Sequence, residues 1–151
     1  MRKIFLLVFL ISMSFVKAQN GTLVPPDNVL KAFENQYPKK KAIWDLEYSG
    51  AGDDVTFEAK FNAAPKTIAL ARYDKNGAFK AYKLQVPITK LPKKVQTYLK
   101  TNYSVKSYKQ FFSVTDNTDI KTYEAGVTKD SKFYNLIFDQ DGEFSKKVQI
   151  R

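Results

Sequence analysis

The chain contains no cysteine and no histidine. Without cysteine there is no disulfide, no thiol nucleophile and no thiolate metal site. Without histidine the commonest general base and the usual imidazole ligand are missing, and a Ser-His-Asp arrangement is excluded. Glycine is sparse, six residues scattered along the chain, so no glycine-rich phosphate loop can be built. Tryptophan occurs once, at Trp44. Beyond the first 18 residues no stretch is apolar enough to span a bilayer. Carboxylates, Ser, Lys and Tyr are the chemistry left. No cofactor, no metal and no enzymatic activity are expected.

Aromatic residues are plentiful, with 12 Phe and 9 Tyr, far above a disordered composition. Basic residues are also in excess, giving a formal charge of +10. Three of them lie in residues 1–18, a segment unlike the rest. Arg2 and Lys3 precede the unbroken apolar run Ile4 to Ile11, and Val16-Lys17-Ala18 offers a small residue for cleavage. That is the layout of a secretory signal peptide, with Gln19 as the mature start. Residues 19–151 then form a single domain carrying a formal charge of +7. Export to the periplasm or beyond the cell is expected. An exported chain has no occasion to meet nucleic acid, and none is expected as a partner.

The mature part reads as two repeats, 24–86 and 90–150. A shift of 66 residues pairs Val29, Phe33 and Tyr37 with Val95, Leu99 and Tyr103, and Phe57-Glu58-Ala59 with Tyr123-Glu124-Ala125. After one deletion Tyr73-Asp74-Lys75-Asn76-Gly77 meets Phe138-Asp139-Gln140-Asp141-Gly142. Each trio spaced by four marks one face of a helix that opens after a proline. Four strands follow in each copy: about 41–48, 54–61, 67–73 and 79–86 in the first, and 108–114, 119–127, 133–138 and 144–150 in the second. Asn76-Gly77 and Asp141-Gly142 are hairpin signals. The expected fold is α+β: a tandem duplication of a helix plus four-stranded antiparallel unit, the sheet backed by helices on one face.

These residues also support a resemblance. Pro26, Phe33, Tyr37-Pro38, Trp44, Phe57-Glu58-Ala59 and Tyr73-Asp74-x-x-Gly77, followed by Leu91-Pro92, Tyr103 and Phe138-Asp139-x-x-Gly142, resemble the exported PepSY-like proteins. That family is also described as beta-lactamase-inhibitor-like. Two departures stand out: Gln110 takes the place of Trp44, and Ser104 that of Pro38. The resemblance implies an antiparallel sheet backed by helices, like the beta-lactamase inhibitory protein, which binds its target with a concave sheet face. It carries over no catalytic residue.

If Phe57, Ala59, Tyr73, Tyr123, Ala125 and Phe138 face the helices, their neighbours face away. Those neighbours include Ile68, Leu70 and Arg72, then Phe133 and Ile137, with Phe111 added from the second copy. Apolar side chains and an arginine on an outward sheet face mark a partner-binding surface. The leading reading is thus a non-enzymatic exported module that recognises or inhibits a protein or peptide partner; a homodimer would use the same face. The alternative is a charge-driven binder of polyanionic glycan or anionic lipid headgroups, using Lys39 to Lys41, Lys93-Lys94, Lys106, Lys109 and Lys146-Lys147. Two narrower ideas remain: a carboxylate pair, Glu58 and Glu124, for glycoside hydrolysis, and weak calcium binding at Asp139 to Glu143. Each has a plainer reading, as outward polar positions and as a hairpin turn.

Overall fold

The computed structural model describes residues 23–48 and 55–150; the expected signal peptide and its cleavage point lie outside them. Helix α1 spans Asp27–Gln36 and α2 spans Lys93–Asn102. Each opens after a proline, Pro26 or Pro92, whose missing N–H costs nothing at a helix start. Eight strands make up most of the rest: β1 Ile43–Tyr48, β2 Val55–Ala64, β3 Thr67–Asp74, β4 Phe79–Gln85, β5 Tyr108–Asp116, β6 Lys121–Lys129, β7 Lys132–Phe138 and β8 Phe144–Ile150.

All eight belong to one antiparallel sheet in the order β1-β2-β3-β4-β5-β6-β7-β8. This corrects the expected architecture. The fold is a single curled sheet, a half-barrel carrying two short helices, and not a duplication of helix-plus-four-strand units. The decisive contact is the seam where Ala81 to Gln85 of β4 pair with Asp116 to Phe112 of β5. The seam turns what would be two sheet edges into interior strands, which removes two rows of unpaired backbone groups. Five residues of sequence do not announce such a pairing, whereas the helical and strand patterns on either side are strong.

Both helices lie on one face. Val29 and Phe33 of α1 are buried with Ala59, Phe61, Ala69, Ala71 and Tyr73. Val95 and Leu99 of α2 are buried with Ala125, Val127, Leu136 and Phe138. In the first cluster Phe33 meets Phe61 at 5.2 Å and Trp44 at 5.4 Å edge-on, a geometry that aligns ring edge with ring face. Tyr73 donates its hydroxyl proton to Gln36 Oε1 at 2.8 Å, so the buried phenol is not left unpaired. Small residues on β2 and β3 let the helix approach, and the aromatic side chains fill the remaining volume.

The hairpin turns tie strands to helices. Asp74 Oδ1 accepts from the N–H groups of Asn76 and Ala78, and Asp139 Oδ1 from those of Asp141 and Glu143. Gly77 and Gly142 have φ of 80° and 78°. A Cβ on Gly77 would also sit 2.8 Å from the Asn28 carbonyl oxygen at the start of α1. Asn28 Nδ2 donates to the Lys75 carbonyl at 2.9 Å, so this turn is docked on the helix.

Candidate binding face

The face away from the helices is concave. Alternation puts Asp45 and Glu47 of β1, Glu58 of β2, Ile68, Leu70 and Arg72 of β3, and Lys83 of β4 on this side. Phe112 of β5, Glu124 of β6, Phe133 and Asn135 of β7 and Ile150 of β8 share it. The curl draws residues from all eight strands around one cavity of about 510 Å³, so that Ile43 of one edge strand and Ile150 of the other line the same space. Its floor is partly apolar: Ala81, Phe112 and Val114 are buried, with Leu70 packed on them.

A row of charges crosses this floor. Lys83, only 6% exposed, places Nζ 3.0 Å from Glu124 Oε2 and 3.7 Å from Glu58 Oε2. Asn135 Nδ2 donates to the same Glu124 oxygen at 2.8 Å. The Arg72 guanidinium donates to Glu58 Oε2 through Nε at 3.3 Å and Nη2 at 3.0 Å, and the same Nη2 pairs with Glu47. Burial pushes the Glu47 carboxyl above the usual carboxylate range. Lys83 and Arg72 pull against this, and Glu58 and Glu124 add to it. Glu47 Oε2 is shielded from solvent and lies against the Arg72 guanidinium.

Of the residues singled out in the sequence, Ile68, Leu70 and Phe133 line the cavity. Arg72 and Ile137 share the concave face, Arg72 inside the charge row and Ile137 half-buried opposite Glu124. Phe111 lies elsewhere: it points to the helix side, packed against the α2 cluster and edge-on to Tyr108 at 5.7 Å. The register shift between Tyr108 and Gln110 resets the phase of β5, and Phe112 takes the concave position.

Glu58 and Glu124 are brought together, though not as solvated outward groups. The Lys83 ammonium sits between them, where a hydrolase would need to place the glycosidic oxygen. Asp139 spends its carboxylate on its own turn, and among the described residues no cluster of three or more potential ligands could hold a metal ion. Several basic residues have individual partners. Lys94 pairs with Glu143, Lys40 donates to the carbonyls of Asn62 and Ala63, and Lys147 lies over the Tyr134 ring.

Reasoning from sequence alone missed Lys83, Glu47, Phe112, Ile43 and Ile150. Lys83 alternates with Tyr82 and Leu84, which pack towards α1. That alternation carried the signal for its orientation, and nothing carried the signal for its partners. Phe133 is positioned by Gly126, since a Cβ there would meet Phe133 Cζ at 2.9 Å and Gln110 Cγ at 3.0 Å. The ring lies across the bare backbone of β6.

A curled sheet with helices on its convex side and a partly apolar hollow on the other belongs to the inhibitor-like class of folds. The chain belongs to the family described as "Putative beta-lactamase-inhibitor-like, PepSY-like", whose model matches residues 56–146. Its fold is similar to that of a putative periplasmic protein from Bacteroides eggerthii, at 15% identity and a TM-score of 0.62, covering 85% of this chain and 91% of that one. A DUF2874 family protein from Bacteroides ovatus is similar at 17% identity and a TM-score of 0.58, covering 84% and 89%. A BLIP-like protein from Bacteroides fragilis is similar at 18% identity and a TM-score of 0.54, covering 86% and 89%. No curated protein matches the chain. No helix among the described residues is long and apolar enough to cross a membrane.

Proposed function

We propose that this chain is an exported, non-enzymatic binding module that recognises a protein or peptide partner with the concave face of its sheet. One observation carries the reading: all eight strands contribute to a single hollow of about 510 Å³, and both described helices lie on the opposite face of the sheet. Ile68, Leu70 and Phe133 supply its apolar contact, and Arg72 and Ile137 extend the same face. Phe111, on the helix side, is left out of the site. The inhibitor-like family and the BLIP-like neighbour support binding as the role. The periplasmic description of another neighbour, with the apolar leader, supports export after removal of residues 1–18. Inhibition of an exported enzyme fits such a face, because occluding an active site requires shape and no chemistry.

The test uses the tagged protein against envelope and secreted fractions. Phe133→Asp, alone and with Leu70→Asp, should abolish capture of specific partners while circular dichroism and melting show a folded chain. Retained capture by the folded variants would sink the proposal. A homodimer would appear as a concentration-dependent mass that Phe133→Asp abolishes. Capture that collapses between low and moderate salt and ignores Phe133 would instead indicate a charge-driven polyanion binder.

A further inference from the structure

We infer that the concave face takes a lysine or arginine side chain from its partner, flanked by bulky apolar residues, with the cation directed at β1 and the apolar neighbours at Phe133 and Leu70. This rests on the proposed binding face and adds the chemistry of the occupant. Three observations carry it. The first is charge. The molecule is strongly basic overall, yet four carboxylates line the hollow, Asp45, Glu47, Glu58 and Glu124, against two ammonium groups, Lys60 and Lys83. Counting Arg72 as well leaves the hollow net negative.

The second is unequal satisfaction. Glu58 and Glu124 are engaged by Arg72, Lys83 and Asn135. The β1 carboxylates are left more open. Glu47 is held by the Arg72 guanidinium, yet 42% of its side chain is still reachable. Asp45 is exposed, and among the described residues the one hydrogen bond to its carboxylate comes from the neighbouring Leu46 N–H. An anionic or purely apolar occupant would strip water from Asp45 and from the exposed part of Glu47 and bring no donor in its place, a costly arrangement. An ammonium or guanidinium brings donors and charge together, and Arg adds a planar fork that matches a carboxylate.

The third is polarity across the hollow. The acidic side is β1, whereas Phe133 and Ile150 give the β7–β8 side an apolar wall and Leu70 lies between. A segment spanning the hollow therefore meets acid at one end and an aromatic anchor at the other. Such a pairing of charge and apolar contact is typical of specific interfaces.

The test is selection from a displayed library of random linear peptides on the immobilised protein, with affinities of enriched peptides measured by calorimetry. Enriched sequences should carry Lys or Arg within a few residues of Phe, Leu, Ile or Trp. Their affinity should fall ~2–5-fold in Glu47→Gln and in Asp45→Asn, as expected for a partly exposed ion pair, and more steeply in Phe133→Ala. Asp45→Lys, at an exposed position, should reject the same peptides without loss of folding. Peptides that need Phe133 but lack a basic residue, or bind the β1 variants unchanged, would overturn the inference and leave the binding face standing. No enrichment on the folded protein, or enrichment indifferent to Phe133, would overturn both.

Discussion

Replacing Lys83 with methionine tests the charge row most directly. The two side chains are nearly isosteric, but the variant lacks the ammonium that Glu58 and Glu124 share. Removing one partner of a buried ion pair costs about 3–5 kcal/mol, because the other charge is left in low dielectric. Here the loss is tempered. Glu58 keeps the Arg72 guanidinium and Glu124 keeps the Asn135 amide. Glu124 is nevertheless only 9% exposed, so we expect a loss of ~2–3 kcal/mol at pH 7. In urea this lowers the unfolding midpoint by about 1–2 M, given slopes of ~1–3 kcal/mol per M. Adding Glu124→Gln removes the stranded charge while keeping an acceptor for Asn135. The double variant should recover more than half of the loss, and the double-mutant cycle isolates the coupling. A single variant within ~0.5 kcal/mol of the parent, or a double variant no better than the single, would refute the view that Lys83 compensates two buried carboxylates.

Three further outcomes follow from the geometry. Gly77→Ala should cost ~2–3 kcal/mol by urea unfolding, because φ of 80° disfavours a side chain and the new Cβ would press on the Asn28 carbonyl. Gly126→Ala should lose only about 1 kcal/mol, since the Phe133 ring can swing aside, but partner capture should fall because the ring leaves its seat; a crystal structure of the variant checks the displacement. The Tyr37 hydroxyl is pushed up to about 12, first by burial and then by Tyr82. Its stabilising share is therefore present below the unfolded value near 10 and is lost as pH rises towards 12. Tyr37 is partly solvent-exposed, so the effect is on the order of 1 kcal/mol, and Tyr37→Phe should flatten that part of the alkaline unfolding curve relative to the parent.

Local patterns in the sequence were strong enough to place every strand. Val55, Phe57, Ala59 and Phe61 alternate without interruption, and the structure has β2 across them. The four-residue spacing of Val29 and Phe33 placed α1 against the sheet. What escaped depends on contacts between distant segments. The joining of β4 to β5 is a choice of pairing partner, which no periodicity encodes. The meeting of Lys83 with Glu124 depends on that seam and on the pairing of β5 with β6. Phe111 and Phe112 are adjacent aromatics, and only the irregularity near Tyr108 decides which one faces the hollow. Ile43 and Ile150 are near opposite ends of the described chain; curvature alone lets them line the same hollow.

The seam between β4 and β5 also bears on how the molecule comes apart. Its ladder joins five residue pairs, against seven in the β6–β7 ladder. Every other strand pair is a hairpin of short loops, quick to form, whereas this one must wait for α2 and its flanking turns to be laid across the gap. The seam is reinforced by side chains from both sides: Ala81 against Phe112 and Val114, and the reach of Lys83 to Glu124. Because it is the last to close, it should nevertheless be the line along which the sheet first unzips, with amides of 81–85 and 112–116 exchanging together in a sub-global opening. A partner seated in the hollow would rest on both banks of that line, so binding should slow exchange there most of all.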